Sequence, residues 1–238
     1  MLSNVKIMIE IKSVCFDLDG TLYDFQEVMR HSLRITLAEL TRRIPQCGER
    51  LSVDEMIQIR DRTAQELKGR ITNLEEVRLV SFKRTLDYCG IDDELAEELN
   101  QLYLKHRFED VVLFDDVLPT LERLKGRYVL GALSNGNSYP QKLGLESYFQ
   151  FIILAQEVGM GKPDPGIFHL AVEKAGCLPN ELLYVGDSQE EDILGAKRAG
   201  IRVAWFNRTN AQVKPNIPHP DYEIDKLSML LKVLDTPA

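Results

Sequence analysis

The feature that most constrains the fold is an alternation of short apolar runs with helical patterns after about residue 114. The apolar runs are 129–133, 151–154, 182–185 and 202–205, and the helical patterns are 117–125, 165–175 and 190–199. Strands that are apolar throughout are typical of parallel sheets, whose crossover helices cover both faces. With an earlier apolar run at 13–16, the pattern predicts an α/β protein built on a parallel sheet.

Between residues 24 and 107 the pattern is helical, with almost no strand signal. Four helices are expected, with breaks near 45–48, 69–73 and 90–92. Three pairs have the spacing of a capping box, in which a polar side chain and a Glu bond to backbone amides at a helix start: Asp24 with Glu27, Ser52 with Glu55, and Thr72 with Glu75. The sequence therefore predicts a helical domain, 24–107, inserted into a core formed by 1–23 and 108–238.

Composition excludes several classes of function. No apolar run approaches the ~20 residues that cross a bilayer, and lysines interrupt the N-terminal apolar residues, so neither a membrane span nor a signal peptide is expected. The net charge of -8 disfavours nucleic acid as a partner. The four cysteines form no CxxC pair. We expect a cytoplasmic protein with reduced thiols, in which an anionic substrate needs a locally positive site.

Asp17 and Asp19 follow the first predicted strand across a turn that contains Gly20. Two carboxylates at this spacing can hold a hard cation while one of them attacks a substrate or transfers a proton. An acidic surface turn is the alternative for such a pair taken alone.

Three further polar clusters follow predicted strands. They are Ser134-Asn135-Gly136, which offers phosphate-binding donors; Gly161-Lys162-Pro163-Asp164-Pro165, which holds an ammonium group before a helix; and Gly186 to Asp192, where Asp187 suits a metal ligand. A plain turn, a solvated lysine and an acidic helix cap are the respective alternatives. Because ligands bind beyond the carboxyl ends of parallel strands, the four clusters are expected to converge on one cleft.

The chain resembles the haloacid dehalogenase-like hydrolase superfamily in four motifs. They are DLDGT at Asp17, LSNG at Leu133, GKPDP at Gly161 and GDSQEED at Gly186. The resemblance covers nearly the whole chain. It implies a Rossmann-like core with helices on both faces of the sheet, and a helical cap inserted after the first strand.

The resemblance also implies roles for individual residues. Asp17 would be the nucleophile, and Asp19 the acid that protonates the leaving oxygen and then the base that activates water. The implied substrate-binding residues are Thr21, Ser134, Asn135 and Lys162. The implied Mg²⁺ ligands are Asp17, the Asp19 backbone carbonyl and Asp187, with Asp192 supporting them nearby.

The sequence thus predicts a Mg²⁺-dependent phosphatase acting on a small phosphorylated metabolite, such as a sugar phosphate, a nucleoside monophosphate or phosphoglycolate. Dehalogenases of the superfamily do not retain the second aspartate, so Asp19 favours phosphorus over halogenated carbon. Three alternative functions stay open: a phosphomutase, a phosphonate-cleaving enzyme with a cap lysine, and a binding protein without activity. The helical cap is expected to select the substrate. The sequence does not indicate an oligomeric state.

Overall fold

The computed structural model describes residues 10–68, 70–71 and 73–235. The strands of the sheet are β1 (Ser13–Phe16), β2 (Val129–Ser134), β3 (Phe151–Leu154), β4 (Leu182–Gly186), β5 (Arg202–Phe206) and β6 (Tyr222–Ile224). The helices are α1 (Phe25–Arg43), α2 (Pro45–Arg50), α3 (Val53–Leu67), α4 (Leu74–Tyr88), α5 (Ala96–Glu109), α6 (Val117–Leu124), α7 (Ala155–Val158), α8 (Pro165–Ala175), α9 (Leu194–Arg198) and α10 (Leu230–Asp235).

All strand pairs in the sheet are parallel, and the strand order is β3-β2-β1-β4-β5-β6. The chain builds β2 and β3 on one side of β1 and then crosses to build β4, β5 and β6 on the other. This reversal places the topological switch point at β1, where polar groups beyond the strand ends have room to form a site. The predicted α/β class with a parallel, Rossmann-like sheet is confirmed.

One face of the sheet packs against α8 and α9. Side chains that alternate along the strands point to this face, including Cys15, Tyr184 and Val203, and they contact Ile167 and Phe168 of α8 in one buried cluster. The core is therefore continuous beneath the strand ends that carry the polar motifs, so the backbone there is rigidly supported.

The helices from α1 to α5 have a core of their own. Leu40, Leu86 and Leu99 lie in this second buried cluster, which contains no strand residue. Ser52 and Glu55 form the predicted capping box at the start of α3. The cap of α4 is instead Asn73, whose side chain accepts from the Glu75 backbone amide.

The structure differs from the expected element pattern in several places. The break expected near 45–48 lies at Ile44, and Pro45 occupies the first turn of the next helix, α2, where its missing N–H costs nothing. The predicted helix 190–199 begins as a π-helical turn, Gln189–Ile193, before α9. Strand β6 and the helices α7 and α10 were not predicted. Residues 1–9 and Thr72, to which the sequence analysis gave places in the core and in a capping box, lie outside the described residues.

The chain divides into two compact units, one from residue 24 to Val112 and the other from the remaining residues. The expected insertion boundary at Arg107 falls inside α5, which continues to Glu109. Among the described residues, no helix has the length and apolarity that crossing a membrane requires.

Gly131 in β2 provides a test of the sheet packing. A Cβ at this position would lie 2.0 Å from the Phe151 ring on the neighbouring strand. We expect Gly131→Ala to lower the free energy of unfolding by about 1–3 kcal/mol, because a well-packed interior resists added volume. Urea denaturation measures this change in the free energy of unfolding. In a Phe151→Leu background the same substitution is expected to cost less, and an equal cost in both backgrounds would contradict the proposed clash.

Candidate active site

Strand register brings three of the four polar motifs together. Phe16, the last residue of β1, pairs with Ala132 of β2 on one side and Val185 of β4 on the other. The Asp17 amide continues the ladder by donating to the Val185 carbonyl at 2.8 Å. The residues that follow each strand therefore leave the sheet side by side at one edge, as the sequence motifs predicted.

Lys162, from the fourth motif, links two of the carboxylates. Its Nζ lies 2.7 Å from Oδ1 of Asp17 and 2.6 Å from Oδ1 of Asp192. It also lies 2.9 Å from the Tyr184 hydroxyl, which in turn donates to Asp192 at 3.1 Å. Both Lys162 and Asp192 are buried. The ammonium is thus fixed by three oxygen atoms and faces the predicted nucleophile.

Asn135 holds the loop that carries Lys162. Its Oδ1 accepts from the Lys162 backbone amide at 2.7 Å, and its Nδ2 donates to the Lys162 carbonyl at 2.9 Å. The family resemblance implies a substrate-binding role for Asn135. In the structure both polar atoms of its side chain bond to the backbone of Lys162, so its visible role is to position the ammonium.

Thr21 and Gly20 shape the turn after β1. The Thr21 hydroxyl lies 3.2 Å from Oδ2 of Asp17 and 3.3 Å from Oδ1 of Asp187. Gly20 has a φ of +92°, and a Cβ there would lie 2.6 Å from Oδ2 of Asp187. Only glycine both adopts this conformation readily and lets a carboxylate approach the backbone so closely.

Asp187 and Asp192 complete an acidic cluster with Asp17. Single carboxylate oxygens of the three residues all lie within 4.8 Å of one another. The Asp187 carbonyl accepts from the Trp205 indole at 2.9 Å, and Oδ2 of Asp192 accepts from the Ser188 amide at 2.8 Å. The cluster is therefore held by neighbouring strands and by the start of the π-helical turn.

The charges of this cluster do not balance. Three carboxylates and the single ammonium of Lys162 carry a formal charge of two negative units. Burial and the nearby charge of Asp192 raise the pKa of Asp187 to about 7. Burial raises the pKa of Asp17 well above its usual range, against the opposing effect of Lys162. Burial disfavours the ammonium as well, but Asp17 and Asp192 more than offset this and raise the pKa of Lys162.

A divalent cation at the cluster would cancel this excess charge. Carboxylate oxygens are the ligands that hard cations such as Mg²⁺ prefer, and Mg²⁺ commonly takes only one or two protein carboxylates. The donor set and the uncompensated charge both fit a cation bound by Asp17 and Asp187, while Asp192 is already engaged by Lys162 and Tyr184.

Asp19 has different neighbours from Asp17. Its Oδ1 accepts from Ser138 at 2.7 Å and from the hydroxyl of Tyr23, and these two hydroxyls are 2.9 Å apart. Its Oδ2 lies 3.3 Å from the Ser134 hydroxyl, a group that the sequence analysis placed on the substrate. The carboxyl group of Asp19 is thus oriented by the hydroxyl groups of Tyr23, Ser134 and Ser138.

Four site residues were not foreseen: Tyr23, Ser138, Tyr184 and Trp205. Tyr184 is a polar group in the otherwise aliphatic run LLYV, and a buried tyrosine normally requires a hydrogen-bond partner, so a signal was present. Trp205 is buried, and its indole N–H holds the Asp187 carbonyl.

The parallel sheet and its cluster of acidic side chains with one buried lysine define a hydrolase of the Rossmann-like type. The family model "haloacid dehalogenase-like hydrolase" matches residues 11–200. The chain belongs to this family, and the resemblance inferred from the four motifs is confirmed.

Two relatives named as phosphatases match nearly the whole chain. Glyceraldehyde 3-phosphate phosphatase of Methanopyrus kandleri is 29% identical, with 94% of this chain and 97% of the relative covered. N-acylneuraminate-9-phosphatase of Mus musculus is 28% identical, with 96% and 93% covered.

Two solved structures share the fold. A 2-haloacid dehalogenase from Pseudomonas syringae has a TM-score of 0.77 and 34% identity, covering 94% of this chain and 98% of its own. The HAD-hydrolase YfnB from Bacillus subtilis, solved with bound magnesium, has a TM-score of 0.74 and 27% identity, covering 95% and 100%.

The raised pKa of Asp187 gives a test of the acidic cluster that does not depend on activity. Folding raises the pKa of Asp187 from about 4 to about 7, so the folded, metal-free protein binds this proton more tightly than the unfolded chain does. The free energy of unfolding should therefore fall as the pH rises from about 4 through 7. Relative to wild type, metal-free Asp187→Asn should therefore gain stability across this range. Thermal melts at stepped pH measure the difference.

Mg²⁺ reverses the comparison, because it is expected to stabilise wild type more than Asp187→Asn. A stability difference that is independent of both pH and Mg²⁺ would argue against the cluster as a cation site.

Proposed function

We propose that the protein is a Mg²⁺-dependent phosphatase that hydrolyses a small phosphorylated metabolite through an aspartyl-phosphate at Asp17. The observation that carries the proposal is the pair of carboxyl groups after β1. Asp17 is held against the Lys162 ammonium within the acidic cluster, whereas Asp19 is held by hydroxyl groups. One carboxylate is suited to attack and the other to exchange protons.

The names of the relatives found by sequence support a phosphoric monoester hydrolase. Besides the two described above, similar proteins carry names of phosphatases for phosphoserine, pyrimidine nucleotides and a phosphorylated ribitylaminouracil. These substrates share a phosphate ester but differ in the group that carries it. We therefore infer for this chain only that its substrate contains a phosphate ester.

In the first step a carboxylate oxygen of Asp17 attacks phosphorus. The bond from Asp17 to phosphorus forms as the bond to the substrate's ester oxygen breaks, and Asp19 gives its proton to that oxygen. Lys162 neutralises part of the charge on the transferring phosphoryl group, and the hydroxyl of Ser134 can donate to one of its oxygens.

In the second step water attacks the phosphorus of the aspartyl-phosphate. Asp19, now ionised, takes the proton of the water, and the bond from phosphorus to Asp17 breaks to release inorganic phosphate. When bound, Mg²⁺ would offset negative charge on the phosphate, which otherwise repels the carboxylate that attacks phosphorus. Asp17 and Asp187 are the residues that would hold it.

A halogenated acid is the rival substrate, because one structural neighbour is a 2-haloacid dehalogenase at 34% identity. A halide ion leaves carbon without needing a proton, whereas an alkoxide leaving phosphorus does need one. Ser138 and Tyr23 hold Asp19 where such a proton can be supplied, and this favours phosphate esters.

The proposal is tested with a panel of phosphorylated metabolites and one 2-chloro acid, each assayed with and without Mg²⁺. Phosphate release that requires Mg²⁺ is expected for at least one ester. Chloride release without phosphate release would establish the rival activity. Isomer formation from a sugar phosphate without free phosphate would instead identify a mutase.

Asp17→Asn is expected to abolish Mg²⁺-dependent release of phosphate from para-nitrophenyl phosphate, with a loss of at least about 10³-fold, because an amide cannot act as the nucleophile. The fold should persist by circular dichroism. Asp61→Asn on the exposed surface of α3 is the matched control. Mass spectrometry of acid-quenched wild type should find phosphate on the Asp17 peptide, and turnover retained in Asp17→Asn would refute the mechanism.

Ser138→Ala is expected to lower kcat about tenfold with little change in KM, since a hydrogen bond to a carboxylate is worth about 1.5–3 kcal/mol and this one orients the proton donor. The pH dependence of kcat should shift as well. Ser13→Ala is the matched control, because Ser13 is equally buried but donates to the Val129 carbonyl, away from Asp19. Equal kinetic effects in both variants would show that Ser138 acts only through stability.

A further inference from the structure

A second group of metal-ligating side chains lies in the inserted unit, apart from the acidic cluster of the sheet. It comprises His31 of α1, His106 of α5 and Asp110, which directly follows α5. One ligand atom from each residue lies within 4.8 Å of the others. Nothing in the proposed phosphatase chemistry uses these residues.

Both imidazole rings are directed at one carboxylate oxygen. Oδ2 of Asp110 lies 2.9 Å from Nε2 of His31 and 2.7 Å from Nδ1 of His106. Both rings thus present a nitrogen to the same carboxylate oxygen, so the three side chains converge on one point.

The backbone holds these three residues in place. His106 and Asp110 have the helical spacing of four residues, and the Asp110 amide donates to the His106 carbonyl at 3.1 Å. His31 comes from α1, which packs against α5 through buried side chains such as Leu33 and Tyr103. Metal ligands on packed helices are better ordered than ligands on loops, so they lose little conformational entropy when the metal binds.

We propose that His31, His106 and Asp110 form a binding site for a divalent transition metal ion, with Zn²⁺ as its best-matched occupant. Two imidazoles and one carboxylate are ligands that Zn²⁺ accepts, whereas Mg²⁺ prefers oxygen alone. Three protein ligands leave at least one position for water.

The two N···O distances are close to those between ligands of a bound metal ion. With bonds of about 2.0–2.2 Å, ligand atoms of a tetrahedral Zn²⁺ lie about 3.3 Å apart, a few tenths of an ångström more than the present N···O distances. The side chains of His31, His106 and Asp110 are 41%, 23% and 36% exposed, which gives them room to move and gives the ion an entry path. Each ring would coordinate through a nitrogen freed of its proton.

The site would tie together the first and the last helix of the inserted unit. Because α1 and α5 are far apart in sequence, a metal that binds only when they are packed stabilises the folded unit by mass action. The consequence is a metal-dependent stability of residues 24–112, separate from any metal used in hydrolysis.

The test titrates Zn²⁺ into the metal-stripped full chain by calorimetry, with excess Mg²⁺ present to compete at the acidic cluster of the sheet. His31→Ala and His106→Ala should each weaken Zn²⁺ binding at least about tenfold, since even the hydrogen-bond partners of metal ligands are worth about 10- to 100-fold. His169→Ala and His219→Ala, which replace exposed histidines elsewhere, are the matched controls and should bind as wild type does.

Two further measurements keep the proposal open to refutation if a variant folds poorly. Zn²⁺ should raise the Tm of wild type and of the controls but not of His31→Ala. On the unmodified chain, Zn²⁺ should protect His31 and His106, and not His219, from acylation by diethyl pyrocarbonate, as mapped by mass spectrometry. Unchanged Zn²⁺ affinity in both histidine variants, or no protection, would reduce the group to an ion-pair cluster and overturn the proposal.

Discussion

The contact on which the candidate site depends is the ammonium group of Lys162 between Asp17 and Asp192. Two carboxylates buried without a counter-charge would each cost several kcal/mol, so the fold tolerates them here only because the lysine is held between them. The lysine is held in turn by Asn135 through its backbone and by the Tyr184 hydroxyl. The packing of the sheet therefore holds these charged groups in a buried position that their hydration would otherwise oppose.

The neighbours of the two carboxyl groups after β1 explain how they can divide the work. Burial raises the pKa of Asp17, and Lys162, whose ammonium group only donates, opposes this rise and so favours the ionised form that the proposed nucleophile needs. A hydroxyl group both donates and accepts, so Ser138 and Tyr23 can satisfy Asp19 with or without its proton. A residue that must first give a proton and then take one is best served by such partners.

Most of the sheet and the residues of the acidic cluster could be predicted because local signals and topology agree. Continuous apolar runs define buried parallel strands, and polar residues after such strands meet at one edge. Strand β6 could not be foreseen, since only three residues, YEI, form it. The hydroxyl partners of Asp19 could not be foreseen either, because Ser138 and Tyr23 meet only across a separation of 115 residues, which no local pattern encodes.

The limits of substrate prediction have a physical cause as well. Relatives at 29% and 28% identity carry names for different substrates, so overall similarity at this level does not separate them. The charged groups at the sheet edge are suited to a phosphate ester, which all of those named substrates share. The inserted unit has a core of its own, with no strand residue in it. Its surface can therefore vary in sequence without disturbing the core of the sheet.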